Sequence, residues 1–306
     1  MGDTAGLLVV VNRSAGSAED EVDAALTELQ AAAEVTVVAT ADAAELEAAL
    51  AGRDGRRLVV LGGDGSVHAV ARALDRAGEL DPAEPVGIVA CGTGNDLART
   101  LRLPLDPVQG AAAVLAGRPR PLDLLDDDAG GLVVNAVHAG VGARAGAQAD
   151  RLKERIGVAA YPVGAALAGV SSPGWPLRVE VDGRVAAHPA EGWVADGTRD
   201  LLMLGVCTGR SIGGGTPLAP HAEPDDGLAD VVVSVATGPV ARAAFAAALT
   251  SGTHVDRPDV LVLRGRQVSV TGGPVDLDAD GEVEEGVPQR TWRVRRHGWS
   301  VLVPPH

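Results

Sequence analysis

The first third of the chain alternates short apolar runs with stretches in which apolar residues recur every three or four positions. Residues 7–11 are an uninterrupted apolar run, the mark of a strand buried on both faces. The polar loop Asn12-Arg13-Ser14-Ala15-Gly16-Ser17 follows, and Val22, Ala25, Leu26 and Leu29 then share one helical face. Residues 35–39 repeat the strand pattern up to Thr40, and Asp42 opens a helix with Leu46, Ala49 and Leu50 on one side. A third run, 58–61, ends in Gly62-Gly63-Asp64-Gly65-Ser66, after which Val67, Val70, Ala71 and Leu74 return to helical spacing. A fourth, 86–90, leads into Cys91-Gly92-Thr93-Gly94-Asn95-Asp96-Leu97. This alternation predicts a mostly parallel sheet covered on both faces. Ligands of such sheets bind beyond the carboxyl ends of the strands. That rule places Asn12, Thr40, residues 63–66 and Thr93 at one edge.

The pattern changes near residues 119–125. Beyond them, runs at 132–137, 177–181, 201–207, 230–235, 260–263 and 267–270 suit strands, and Asp182-Gly183 is a hairpin signal. Helical patterns interrupt them at about 150–170 and 240–249. This half reads as mainly antiparallel β, a sandwich or open barrel. Runs at 291–295 and 299–303 are free to pair with either half.

Composition narrows the classes. With 46% hydrophobic and 22% charged residues, the chain has the makings of a sizeable core. Aromatics are only 2%, so Ala, Val and Leu must build it. A net charge of −15 argues against nucleic acid as partner and gives no global attraction to anionic membrane. Cys91 and Cys207 stand far apart, in neither a disulfide framework nor a zinc motif. No signal-like start is evident, and the apolar stretch 157–170 is too short and too rich in Gly and Ala to span a bilayer, so a cytoplasmic protein is expected.

Four stretches carry candidate chemistry. The turn at residues 62–65 lets the backbone approach a ligand, and amides at a helix start favour an anion; it is a phosphate cradle or a plain tight turn. Residues 92–96 offer a hydroxyl, an amide and a carboxylate, or simply a helix cap by Asn95 or Asp96. Gly213-Gly214-Gly215 leads through Pro217, Pro220 and Pro224 to Asp225-Asp226-Gly227-Leu228, either hard oxygen ligands for Mg²⁺ or a turn-rich loop. Residues 276–282 hold Asp276, Asp278, Asp280 and Glu282, an acidic hairpin turn or the home of a general base. No Walker-type phosphate loop, dinucleotide fingerprint or protein-kinase signature is present.

Taken in order, Asn12, Gly62-Gly63-Asp64-Gly65-Ser66, Gly92-Thr93-Gly94-Asn95-Asp96, Gly213-Gly214-Gly215 with Pro220 and Asp226-Gly227, and Asp280-Gly281-Glu282 resemble the diacylglycerol kinase family, in its soluble bacterial lipid kinase branch. The sphingosine kinases share that catalytic module. The resemblance implies a Rossmann-like α/β ATP-binding domain (residues 1–122 and about 291–306) and a β-sandwich-type lipid-binding domain (123–290), with the site between them. It implies ATP along Asn12, Thr40, Gly62, Gly63, Asp64, Gly65, Ser66, Val67, His68, Ala69, Thr93, Asn95 and Asp96. Glu282 matches the base that deprotonates the lipid hydroxyl, and Asp64 and Asp96 would orient metal or phosphates. Asp226, with the carbonyls of Glu223 and Leu228, matches a structural Mg²⁺ site, and a second Mg²⁺ would arrive with ATP. The expected reaction is phosphorylation of diacylglycerol to phosphatidic acid at the inner membrane face by a peripheral protein, with a homodimer compatible. Arg151 and Lys153, beside Leu152 and Ile156, would touch headgroups or form a solvated helix face.

This chain departs from the family pattern at Ser66, where threonine is usual, and at His68 and Ala69, where Asn-Glu is usual. The proline before the second glycine motif is replaced near Ala90-Cys91. NAD kinases also resemble this chain in Gly-Gly-Asp-Gly and a two-domain plan, but the Asp280-Gly281-Glu282 block favours the lipid kinases. A lipid- or nucleotide-binding protein without turnover is the non-enzymatic alternative.

Overall fold

The structure, a computed structural model, describes residues 6–12, 19–140 and 174–305. The polar loop after Asn12 and the helical pattern at 150–170, with Arg151 and Lys153, lie outside them. The chain divides into two compact units, Met1–Leu124 with Arg296–His306, and Leu125–Arg295.

In the first unit, β1 (Leu7–Asn12), β2 (Val35–Thr40), β3 (Arg57–Gly62) and β4 (Gly87–Ala90) form a parallel sheet in the order β2-β1-β3-β4. Helices α1 (Glu19–Ala32), α2 (Ala43–Ala51), α3 (Asp64–Ala77), α4 (Asp96–Leu101) and α5 (Pro107–Ala116) accompany it. Leu7, Val9, Val59, Leu61 and Val89 pack against Ala25 and Leu29 of α1 and Ala111 and Val114 of α5. The alternate strand residues Leu8, Val10, Leu58, Val60 and Ile88 are equally buried, which is why the strands read as continuous apolar runs. Asp42 caps α2 by accepting the Glu45 amide at 2.9 Å, as its residue type predicts. Helix α5 has the same start signal in Asp106-Pro107, with Asp106 accepting the Gln109 amide at 2.9 Å. The chain's last residues return to this unit. The Val86 amide donates to Ser300, the Leu302 amide donates to Val86, and Leu302 joins the core beneath the sheet.

The second unit is antiparallel. It contains β6 (Leu132–Val133), β7 (Ala136–Gly140), β8 (Leu177–Val181), β9 (Arg184–Val185), β10 (Met203–Cys207), β11 (Ala229–Ser234), β12 (Val260–Gly265) and β13 (Gln267–Ala279). Strands β5 (Arg118–Asp127) and β14 (Glu282–Val303) run through the unit boundaries. The strand order is β12-β11-β10-β7-β13-β14-β5-β6, with β8 on β13 and β9 on β8. Because β13 pairs β7 at one end and β8 at the other, the sheet doubles over a core that includes Val137, Val179, Leu204, Val231, Val270, Leu277 and Trp292. Helix α6 (Pro239–Ser251) covers the outer face through Phe245, with Met203, Leu218 and Val232 beneath it.

Two sequence expectations need correction here. The apolar run 132–137 is two strands, broken at Val134-Asn135 because those amides bond a carboxylate instead of a neighbouring strand. The two final runs are one strand, β14.

Candidate active site

Asn12 ends β1, and Thr40, its partner in register, ends β2. Gly62 ends β3 opposite Ala90, the end of β4. All four strands are parallel, so these residues share the carboxyl edge. The order β2-β1-β3-β4 reverses between β1 and β3, the crevice where sheets of this kind bind ligands.

The two glycine-rich loops touch backbone to backbone. A Cβ on Gly92 would lie 2.5 Å from the Gly63 Cα, and one on Gly63 would lie 3.0 Å from the Gly92 Cα, so neither position has room for a side chain. Asp64 ties them further: its carboxylate accepts the Leu97 amide at 3.1 Å, inside the first turn of α4. Asn95 holds the N-cap position of α4 in a left-handed conformation, φ 53°, yet makes no side-chain cap bond. Its side chain instead closes the loop on Gly92, accepting that residue's amide at 3.1 Å and donating to its carbonyl at 2.6 Å. The capping expected of Asn95 is thus supplied by Asp64, from the other loop.

Helix α3 begins at Asp64, so the loop and the helix N-terminus are one feature. Ser66 packs onto Gly62; a Cβ there would meet the serine Oγ at 2.5 Å. Gly65 and Ala69 are exposed, whereas Ser66, Val67 and His68 are buried. The two departures at 68 and 69 therefore fall on opposite faces of α3: His68 packs inward and Ala69 faces out. Thr93 is exposed, and Asn95 and Asp96 are buried. Burial pushes the neighbouring Cys91 thiol up to about 11, which keeps it protonated and unreactive.

In the second unit, Asp280-Gly281 forms the two-residue hairpin turn its sequence predicts, with φ of 51° and 92°. Glu282, the first residue of β14, stands opposite Ala279 and is exposed.

Asp226 lies in a different chemical setting from the one the resemblance implies. One of its oxygens accepts the Leu228 amide at 3.0 Å and the other meets the Arg264 guanidinium. Arg264 Nε also lies 3.4 Å from Asp230, its cross-strand partner. The Glu223 carboxylate is held by Arg210 at 2.5 Å. A guanidinium supplies positive charge at Asp226. Arg264 thus meets Asp226 where the resemblance puts Mg²⁺, and among the described residues no three His, Cys, Asp or Glu side chains group as a metal site. Arg264 could not be found from sequence, because it approaches Asp226 only through strand pairing.

Two outcomes follow from this group. Arg264→Ala should remove the guanidinium from Asp226 and Asp230, lowering the melting temperature in chelator. Millimolar Mg²⁺ should then restore stability in the variant and leave the wild type unmoved; equal Mg²⁺ responses would show that Arg264 does not stand in for a cation. Burial raises the Asp230 carboxyl to about 6, opposed by the charge of His221 and reinforced by that of Glu223, and its Oδ2 has no hydrogen bond. A raised carboxyl means that the folded state binds more protons than the unfolded one between pH about 4 and about 6. Stability thus falls as pH rises through that window, by at most about 3 kcal/mol. Asp230→Asn should raise the melting temperature above the window and change it little below; a uniform effect across pH would refute the assignment.

These loops and this hairpin sit in recognisable sequence domains. Residues 6–126 match the diacylglycerol kinase catalytic domain, and residues 135–303 match the YegS C-terminal NAD kinase beta sandwich-like domain. Fold and domain content make this a lipid kinase of the diacylglycerol kinase class. A Pseudomonas aeruginosa PAO1 protein named "Probable lipid kinase YegS-like" is 34% identical over 292 residues, covering 92% of this chain and 88% of that one. A Stenotrophomonas maltophilia K279a protein of the same name is 32% identical over 233 residues, covering 74% of this chain and 72% of that one. The chain belongs to the YegS-like lipid kinase family. Its fold is that of a diacylglycerol kinase from Bacillus anthracis str. Sterne, with a TM-score of 0.74 at 19% identity over 98% of this chain and 97% of that one.

Proposed function

We propose that this protein transfers the γ-phosphoryl group of ATP, delivered with Mg²⁺, to the free hydroxyl of diacylglycerol, giving phosphatidic acid. The observation that carries the reading is the joining of the two glycine loops. Gly63 against Gly92 and Asp64 on the Leu97 amide join the loops after β3 and β4 into one close-packed backbone surface at the carboxyl edge of the sheet. Such a surface suits a polyphosphate, and the N-terminus of α3 adds a favourable dipole. Asn12, Thr40 and Thr93 flank it with an amide and two hydroxyls for the nucleotide.

Glu282 is the base in this reading. Its carboxylate takes the proton of the lipid hydroxyl, the freed oxygen attacks the γ-phosphorus, and the bond to the bridging oxygen breaks, releasing ADP. Mg²⁺ enters as part of the nucleotide substrate and offsets charge on the transferring group. In this reading the acceptor resides in a bilayer and the protein meets it by peripheral contact; among the described residues no helix is long and apolar enough to cross a membrane.

The test is transfer of radiolabelled γ-phosphate, with Mg²⁺, to diacylglycerol, phosphatidylglycerol, sphingosine, ceramide and undecaprenol in mixed micelles, with NAD in parallel. Label in diacylglycerol is the expected result. Label in another lipid alone would replace the acceptor, label in NAD alone would replace the class of substrate, and nucleotide binding with no label anywhere would favour a non-catalytic binder.

A further inference from the structure

We propose that Asp280 is a positioning residue for Glu282, acting by clamping the hairpin tip onto residues 134–136. This rests on the reading of Glu282 as base.

A two-residue turn needs only a left-handed backbone and a glycine. Asp280 does much more. Its carboxylate accepts three successive amides from distant sequence: Val134 at 2.6 Å, Asn135 at 3.0 Å and Ala136 at 3.0 Å. Its own amide donates to the Ala136 carbonyl at 3.0 Å. On the other flank of the turn, Asp278 accepts the Gly281 amide at 2.8 Å. The tip is therefore fixed from both sides, with Glu282 two residues beyond Asp280.

The anchor is itself fixed. The Thr208 and Gly209 amides each donate to the Asn135 carbonyl at 2.9 Å, and the Thr208 hydroxyl donates to the Val134 carbonyl at 3.0 Å. The Asn135 side-chain amide donates to the Ser211 carbonyl at 2.9 Å. Asn135, Thr208 and Ser211 are all buried, so these bonds do not compete with water. Charge-assisted bonds to a carboxylate are roughly twice as strong as neutral ones. An exposed carboxylate at the tip of a two-stranded ribbon would otherwise swing with the ribbon. Displacement of a catalytic group by about 1 Å can cost on the order of a hundredfold in rate.

The fold carries its own control. Asp182-Gly183 is a turn of the same kind, with φ of 49° and 75°, and Asp182 accepts the Arg266 and Gln267 amides, each at 2.9 Å. No candidate catalytic residue follows it. If such clamps only stabilise the fold, the two aspartates should behave alike.

The experiment compares Asp280→Gly, Asp280→Asn, Asp182→Gly and Glu282→Gln for turnover, ATP KM and folding by circular dichroism. Glycine accepts the left-handed backbone, so the substitutions to it remove the carboxylate without adding strain. Asp280→Gly should lower kcat by roughly ten- to a hundredfold with ATP KM within about twofold. Asp280→Asn, which keeps one acceptor oxygen, should fall between it and the wild type. Asp182→Gly should keep wild-type kcat. Equal losses in Asp280→Gly and Asp182→Gly would overturn the proposal, as would full activity in either Asp280 variant alongside a dead Glu282→Gln. Should Asp280→Gly not fold, Asp280→Asn decides the matter by the same kcat comparison. Full activity in Glu282→Gln would instead remove the base reading on which the proposal stands.

Discussion

Glu282→Gln is expected to lower turnover by roughly two to four powers of ten, the usual contribution of a positioned general base. Glutamine keeps the size and hydrogen-bonding reach of glutamate but cannot take a proton at neutral pH. The side chain is exposed and stands at the start of β14, so the exchange buries nothing and opens no cavity. Stability should therefore be unchanged. The residues assigned to ATP lie in the first unit and Glu282 in the second, so ATP affinity should also hold. Steady-state transfer to micellar diacylglycerol, beside binding of a non-hydrolysable ATP analogue, reads both quantities. A variant that turns over at the wild-type rate would mean that another group, or the bulk solvent, takes the proton.

Gly92→Ala is the second large effect, and it acts on binding. The added methyl would lie 2.5 Å from the Gly63 Cα and 3.0 Å from the Asn95 Oδ1. The first of these is a backbone atom and cannot rotate away, so the loops must part. Forced overpacking of this kind costs about 1–3 kcal/mol. Parting the loops also lengthens the bond from the Leu97 amide to Asp64 and spoils the phosphate surface. ATP affinity should fall by roughly ten- to a hundredfold, since each tenfold corresponds to about 1.4 kcal/mol. Calorimetric titration of the analogue checks this. Unchanged affinity would show that the nucleotide does not use the junction between the loops. Gly65→Ala is a useful companion, because a Cβ at Gly65 meets nothing within 4 Å and should be tolerated.

Much of the first unit is legible in the sequence because its signals are local. The run at 58–61, the glycines and the helical spacing of Val67, Val70, Ala71 and Leu74 belong to one continuous stretch, and β3, the turn and α3 follow from it directly. Asp182-Gly183 and Asp280-Gly281 likewise declare their turns by residue type. What stays hidden depends on contacts between distant segments. Asn95 has the right chemistry for a cap, yet Asp64 takes that role because the two loops meet in space. Residues 132–137 have the composition of one strand, and nothing nearby announces that Asp280 will take three of their amides. Asp226 has the chemistry of a metal ligand, and nothing near it in sequence announces that the β11–β12 pairing will bring Arg264 beside it. In each case a local preference is real but is outcompeted by a charged or backbone partner that only tertiary structure supplies.

The return of the chain's last strand to the first unit bears on how the protein is made. Val86 is synthesised early, but its partner Val301 and the core residue Leu302 leave the ribosome only after the whole second unit. The first unit cannot finish folding while it is being translated, although domains ordinarily fold in order of synthesis. The slot beside Val86 stays open in the meantime, an unpaired strand edge and a target for the wrong partner. Closing it last makes the packing of Leu302 beneath the sheet a late event of folding, so a chain cut short before Val301 should have a less stable first unit.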